Sequence, residues 1–238
     1  MFFLKYILSI MKIKHFIGGY DKNLCYLLWC EESKQAAIID PSVEINPIIE
    51  YIEEKKIILD KILITHSHHD HIKYLSDFIN YFNLVKVYIS NKTSKKFNFL
   101  SVTNNQIINI GTEMVICIET PGHYYDSFCF WDSKNKTVFT GDTMFIGRTG
   151  RTISHKSDIK DLYDSIYEIL LKLPDETMIY PGHHYGYKLF DSIKNNIQSS
   201  NFFSCKNFEE FCLNMVKYEK NRNKWIKFLF FRRENAKI

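Results

Sequence analysis

The feature that constrains this chain most is one short string rich in histidine. It reads His66-Ser67-His68-His69-Asp70-His71. A folded core rarely needs four histidines and one aspartate so close together, because every buried polar side chain must find a hydrogen-bond partner. Imidazole and carboxylate groups together are typical ligands of zinc, iron or manganese. The string therefore predicts a metal site.

The same residue types recur at three later points in the chain. These points are Thr120-Pro121-Gly122-His123, Thr140-Gly141-Asp142 and Tyr180-Pro181-Gly182-His183-His184. Each string, like the first, lies where a predicted strand ends and a loop begins, so the side chains can converge at one edge of a sheet. None of the strings contains cysteine, and a thiolate-free site is typical of catalytic rather than closed structural metals.

The spacing of the first string divides its residues between two ions. His66 and His68 alternate in an extended stretch, so they point the same way and can bind one ion. Asp70 and His71, at the turn into a helix, can reach a second ion, and Asp142 can bridge the two. His69, His184, His15 and His155 are interpreted as non-ligands.

The remaining pattern alternates short strands with helices. Strands are predicted at 12–17, 24–31, 35–39, 62–65, 85–89, 113–120, 127–131, 137–140 and 178–180. Two helices are predicted at 46–55, with Asn46 as the N-cap, and at 72–82. A third helix is predicted to follow the N-cap Ser157, and a fourth to follow a capping box formed by Asn207 and Glu210. Strands mixed with helices and followed by a helical tail predict an α/β sandwich.

The chain has 238 residues, enough for one large domain and a small appendage. We expect an N-terminal extension at 1–11, a catalytic domain at 12–186 and a helical, basic C-terminal extension at 187–238. Eight lysines and arginines against two acidic residues follow from Lys217 onward, so the net charge of +4 comes from the tail. The nearly neutral body argues against nucleic-acid binding. Six scattered cysteines without a CxxC pair favour reduced thiols and a cytoplasmic location.

The ordered metal-binding residues resemble the metallo-β-lactamase-fold superfamily over about residues 12–185. The resemblance implies a four-layer αββα sandwich with two divalent metal ions at one edge. Carried over by position, His66, His68 and His123 correspond to the first metal site. Asp70, His71 and His183 correspond to the second site, and Asp142 corresponds to the bridging ligand.

Residues 140–185 resemble one branch of that superfamily, glyoxalase II and the persulfide dioxygenases. The matching stretches are Gly150-Arg151-Thr152, Leu173-Pro174-Asp175 and Tyr180-Pro181-Gly182-His183. Two departures stand out. Glyoxalase II usually has Gly-Cys-Gly where this chain has Arg148-Thr149-Gly150, and Ile153 stands where persulfide dioxygenases carry aspartate. The C-terminal extension is also shorter than the glutathione-binding domain of typical glyoxalase II.

Our first hypothesis is a hydroxyacylglutathione hydrolase-like enzyme that cleaves a small acyl thiolester, with glutathione as one candidate carrier. In this mechanism a hydroxide between two ions, expected to be Zn²⁺ with Fe²⁺ as the alternative, attacks the thiolester carbonyl. Asp70 and Asp142 orient the hydroxide. Arg151, Arg148 and Lys188 are the candidates for binding a substrate carboxylate.

Two other hypotheses remain open. The first is a mononuclear iron dioxygenase acting on glutathione persulfide, in which His66, His123 and Asp142 form a facial triad. The second is membrane contact through the aromatic and basic residues of the tail, although packing of the tail onto the body is the favoured interpretation. The tail residues concerned are Trp225, Lys227, Phe228, Phe230, Phe231, Arg232 and Arg233. Oligomeric state is left open.

Overall fold

The computed structural model describes residues 10–235, with side chains described for 10–222. Two six-stranded sheets face each other. The first contains β1 (Met11–Gly18), β2 (Asn23–Cys30), β3 (Gln35–Ile39), β4 (Ile58–Leu63), β5 (Lys86–Ser90) and β6 (Leu100–Val102), in that spatial order. The second contains β7 (Ile107–Ile110), β8 (Glu113–Glu119), β9 (Phe128–Asp132), β10 (Thr137–Gly141), β11 (Met178–Pro181) and β12 (Asp191–Ser192), also in sequence order across the sheet.

Helices cover the outer face of each sheet. They are α1 (Asn46–Lys55), α2 (Leu75–Tyr81), α3 (Ile159–Asp164), α4 (Ile193–Ser199) and α5 (Phe208–Asn235). A π-helical turn (Ser165–Ile169) and a 3₁₀ turn (Leu170–Lys172) continue α3. Among residues 10–235, no helix combines the length and the apolar character needed to cross a bilayer.

Three apolar clusters hold the layers together, and β2 shows why. Every residue of β2 is buried, which is the pattern of a strand covered on both faces. Leu27 packs with Ile48 of α1 beneath the first sheet, whereas the next residue, Leu28, packs between the sheets. A third cluster buries α3 against the outer face of the second sheet. The predicted αββα sandwich is confirmed.

The segment after residue 186 is built into the second sheet. Strand β12 pairs antiparallel with β11, and Phe211 and Met215 of α5 lie in the same apolar cluster as Leu162 of α3. At the other end, Met11 is buried and pairs with Cys30 in β1–β2. Residues 1–9 and the aromatic tail side chains from Trp225 onward lie outside the described part. The domain division at 11 and 186 stays a prediction.

The helix caps differ in part from the predicted ones. Ile45 precedes α1, so Asn46 is already helical and caps nothing there, while the proline lies in the first turn as expected. Asp158, not Ser157, caps α3, because Asp158 is extended and its carboxylate accepts two N–H groups of the first turn. Half of the predicted capping box of α5 is present: Asn207 Oδ1 accepts from Glu210 N at 2.9 Å, whereas the Glu210 carboxylate accepts from Lys206 N rather than from Asn207 N.

Helix α2 begins later than predicted, at Leu75 rather than at residue 72. Residues 69–74 form turns instead, held by bonds from His71 N to His68 O and from Tyr74 N to Pro41 O. These turns bring Asp70 and His71 back toward the sheet edge. The short strands β6, β7 and β12 were not predicted.

Candidate metal centre

Four strand ends meet at one edge of the sandwich and carry the predicted ligands. The string from His66 follows β4, His123 follows β8, Asp142 follows β10 and His183 follows β11. Backbone hydrogen bonds between the two sheets hold this edge together: Phe128 N donates to Thr65 O at 2.7 Å, and Leu24 N donates to Gly182 O at 2.8 Å. The predicted convergence of the strings is present in the fold.

The first group of donors consists of three imidazoles. His68 Nδ1 lies 2.9 Å from His66 Nε2 and 3.1 Å from His123 Nε2. Their outer nitrogens are occupied: His123 Nδ1 donates to Arg151 O at 2.8 Å, and His66 Nδ1 lies 3.1 Å from Thr65 Oγ1. With the outer nitrogens so held, the inner nitrogens of His66 and His123 present lone pairs to a common point.

The second group mixes imidazole and carboxylate. His183 Nε2 lies 3.2 Å from His71 Nε2 and 3.3 Å from Asp70 Oδ2. The outer nitrogen of His183 donates to Asp21 O at 3.0 Å, while His71 Nδ1 donates to a carboxylate oxygen of Asp40 at 2.8 Å.

Asp142 lies between the two groups. Its Oδ2 is 3.5 Å from His123 Nε2 in the first group and 3.4 Å from His183 Nε2 in the second. Its Oδ1 is 3.2 Å from His71 Nε2. Asp142 therefore contacts both groups, and its role as a bridging ligand stays a prediction.

The two groups differ in their electrostatics. Burial, reinforced by His123, lowers the pKa of His68 to about 4, and burial lowers the pKa of His66 well below its usual value. In the second group burial works against the charged imidazole, yet Asp142 raises the pKa of His183 to about 9. For His71, Asp142 and Asp40 outweigh burial and hold the pKa well above its usual value.

The residues present fit a pair of divalent ions. Two trios, one of His66, His68 and His123 and one of Asp70, His71 and His183, each offer ligand atoms within 4.8 Å of one another. Five imidazole nitrogens and two carboxylates without a thiolate are donors that suit zinc or iron. In the metal-free chain, His71 and His183 of the second trio carry protons, and a metal ion has to displace these protons in order to bind.

A cavity of about 350 Å³ opens onto these ligands. It is lined by His68, Asp70, His123, Asp142, Phe145, Arg148, Arg151, Ile153, Ser154, His183 and Tyr185. Two of the three predicted substrate-binding residues therefore reach it. Lys188 is not among the lining residues, and its Nζ instead donates to Asp191 Oδ2 at 3.1 Å.

The two arginines in the cavity have different partners. Arg151 donates through Nε and Nη2 to the two carboxylate oxygens of Glu219, at 2.7 and 2.8 Å. The guanidinium of Arg148 instead lies 4.0 Å from the ring centre of Tyr185. The pairing between Arg151 and α5 was not predicted.

Sequence reasoning also missed the groups that hold the ligands in place. Asp40, directly after β3, is buried and accepts from Thr65 N and Thr65 Oγ1 at 2.7 and 2.6 Å, besides binding His71. Asn23 Nδ2 donates to Asp70 Oδ2 at 2.9 Å. The available signal was the Asp-Pro pair at the end of β3, which repeats the strand-end placement of the ligands.

The histidines interpreted as non-ligands stand apart from both trios. His69 and His155 are exposed, and the ring of His15 packs edge-on against Phe190 at 5.3 Å. His184, next to a ligand, is half-buried.

Residues 18–183 match the family model of the Metallo-beta-lactamase superfamily. This match spans more than half of the chain and includes both trios. The chain belongs to the metallo-beta-lactamase superfamily.

Relatives within the superfamily agree with the expected branch. The chain is 36% identical over 173 residues to a probable hydroxyacylglutathione hydrolase, glo2, of Schizosaccharomyces pombe, a match covering 70% of this chain and 66% of that protein. It is 31% identical over 206 residues to PksB of Bacillus subtilis, a probable polyketide biosynthesis zinc-dependent hydrolase, covering 84% and 88%. The crystal structure of ETHE1 from Myxococcus xanthus superimposes with a TM-score of 0.81 at 28% identity, covering 94% of this chain and 99% of that one. The predicted glyoxalase II and persulfide dioxygenase branch is confirmed, and the chain is a metallo-hydrolase of glyoxalase II-like type.

Proposed function

We propose that this superfamily member hydrolyses a small acyl thiolester, with a glutathione thiolester as the first candidate. The observation that carries the proposal is the pair of donor trios sharing Asp142 at the mouth of a cavity. Two adjacent ions suit attack at a carbonyl carbon, because one can polarise the oxygen while water is activated beside it. Similarity to hydroxyacylglutathione hydrolases supports the thiolester class.

In this proposal His66, His68 and His123 hold one ion, and Asp70, His71 and His183 hold the other. When bound, the ions supply Lewis-acid polarisation and an activated water. Zinc is the first candidate because the relative PksB is described as a probable zinc-dependent hydrolase, and iron is the second candidate.

The chain's own residues position the reaction. Asp142 and Asp70 accept hydrogen bonds at the cavity floor and orient the attacking water. Phe145 and Ile153 give the cavity apolar side chains beside the expected position of the carbonyl. Arg148 and Arg151 are proposed to face the polar end of the substrate. The free cysteines support a cytoplasmic location.

A second candidate function is a mononuclear iron dioxygenase acting on a persulfide, with His66, His123 and Asp142 as its triad. The similarity to ETHE1 favours it. One observation weighs against it: Ile153 stands where persulfide dioxygenases carry aspartate.

Metal analysis combined with a thiol-release assay tests the proposal. Protein purified without added metal is expected to hold close to two divalent ions per chain, with zinc prominent. The same protein should release thiol from S-lactoylglutathione, followed with a thiol-trapping dye. A preparation fully active with one iron and dependent on oxygen would replace the hydrolase with the dioxygenase. Absence of thiol release above background across a panel of thiolesters would refute the thiolester proposal.

A further inference from the structure

One charged side chain in the cavity wall forms no salt bridge with the side chains of residues 10–222, although the carboxylates of Asp142 and Asp21 favour its charge from a longer distance. Arg148 is only 7% exposed, yet its Nε makes no hydrogen bond and no described residue forms an ion pair with it. Burying a guanidinium is costly unless an anion or acceptor compensates, and arginine does not escape the cost by losing its proton. The lining of the cavity thus contains a cation prepared for an anion from outside the described residues.

Aromatic rings hold this guanidinium in a fixed place. Its carbon lies 4.0 Å from the ring centre of Tyr185, 5.2 Å from Phe145 and 5.3 Å from Tyr218 of α5. Such contacts recover part of the lost hydration while leaving the N–H groups at the edge of the plane available to an acceptor. A preorganised fork of donors suits a planar, bidentate carboxylate.

The neighbouring cation, Arg151, already has a counter-ion. Nε and Nη2 of Arg151 donate to the two carboxylate oxygens of Glu219, so its charge is paired within the chain. Among the described residues, Arg148 is therefore the arginine of the cavity lining that forms no ion pair. Sequence position adds an independent argument, since Arg148 occupies a place where the resemblance to glyoxalase II expects glycine.

We propose that Arg148 is the anion-binding residue of this pocket and that the substrate is a thiolester bearing a carboxylate. This inference rests on the proposed thiolester hydrolysis and adds a specificity to it. The carboxylate can belong to the acyl group or to the thiol carrier. In both cases it lies on the wall of the cavity that Phe145 and Tyr185 share, beside the ligand Asp142.

Substrates that differ only in charge separate the two sources. Two substrates use the neutral thiol N-acetylcysteamine: the acetyl thiolester has no carboxylate, and the succinyl thiolester has one on the acyl group. S-lactoylglutathione has carboxylates on the carrier alone. Arg148→Met keeps the length and apolar contacts of the side chain but removes its charge. Loss of a charge-assisted contact should lower kcat/KM about 10- to 100-fold, mainly through KM, for the carboxylate-bearing substrate that Arg148 recognises. The acetyl thiolester should change less than about twofold.

Two further variants keep the result interpretable. Arg148→Lys retains the charge without the planar fork and should fall between wild type and the methionine variant. Lys172→Met removes an exposed lysine on the 3₁₀ turn and should leave all substrates unchanged. Equal losses for charged and neutral thiolesters, with metal content and melting temperature preserved, would overturn the proposal.

A binding measurement keeps the inference separate from the activity. Calorimetric titration of metal-loaded protein with succinate and with glutathione should detect binding of at least one in the wild type, weakened about 10-fold or more in Arg148→Met. If wild type hydrolyses no thiolester, the proposed function fails while this difference still supports the anion site. If both probes bind wild type and variant equally, or bind neither, the anion site is refuted.

Discussion

The two halves of the metal centre are built from different chemistry. The half formed by His66, His68 and His123 contains imidazoles whose pKa values are lowered, chiefly by burial. The half formed with His71 and His183 contains imidazoles whose pKa values are raised, despite burial, by neighbouring carboxylates. The first half is therefore neutral without a metal, while the second half holds protons.

For the proposed pair of ions, this difference explains how two cation sites can lie a few ångströms apart. A metal in the neutral half meets no competing proton at pH 7, whereas a metal in the second half must displace one. Asp142 contacts both halves, so its charge would offset the repulsion between the two proposed cations. Substitutions at Asp142, Asp40 and Thr65 can show which contacts set the metal affinity of both halves and which set that of one half.

The largest effect is expected when both halves lose their shared ligand. Asp142→Asn keeps the size of the side chain but removes the charge between the two trios. Metal content should fall toward zero in both sites, and turnover should drop at least about 100-fold. Metal analysis after gel filtration and the thiol-release assay provide the readout. His69→Gln, an exposed neighbour of the ligands, should retain metal and most activity; the opposite result for the two variants would contradict the assignment of faces in the first string.

A change at the carboxylate behind His71 should weaken the second site more than the first. Asp40→Asn leaves every proposed ligand in place but removes the carboxylate behind His71 Nδ1. Loss of such an orienting partner typically costs about 10- to 100-fold in metal affinity. We expect competition with a chelator to strip one ion early while the other stays bound. Simultaneous loss of both ions would show that the halves are not independent.

The contrast between the ligands and Asp40 also shows what the sequence could predict. Ligands come in dense strings at strand ends, so both trios and the αββα sandwich could be predicted from the sequence alone. Asp40 stands alone, and its role depends on β3 lying beside β4 in the sheet. The pairing of Arg151 with Glu219 joins residues 68 positions apart, which no local pattern encodes. Short edge strands such as β12 contain too few residues to show an alternation.

Proton release on metal binding tests the protonated half directly. In the metal-free chain the pKa of His183 is raised to about 9, so its imidazole holds a proton at pH 7 that a metal must displace. Zinc titration of metal-free protein should therefore release protons at pH 7. Calorimetry in buffers of different ionisation enthalpy measures this number. The metal affinity of the second site should rise with pH up to about 9, the pKa of His183. The metal affinity of the first site should change little above about pH 4, the pKa of His68. Metal uptake at pH 7 without proton release would contradict the comparison.

The smallest effect is expected at the hydroxyl that joins the two halves. Thr65 Oγ1 donates to Asp40 Oδ2 at 2.6 Å, so its only proton is used there and it must accept from His66 Nδ1 at 3.1 Å. One hydroxyl thereby fixes the tautomer of a ligand in the first half and supports the carboxylate behind the second. Thr65→Val keeps the shape but leaves both buried partners short of one bond, which should cost about 1–3 kcal/mol of stability. Affinity at both sites should fall by a few-fold, measured by chelator competition alongside denaturant unfolding. Thr65→Ser restores the hydroxyl and should recover both values; a valine variant that weakens only one site would show that the tautomer of His66 is fixed by other contacts.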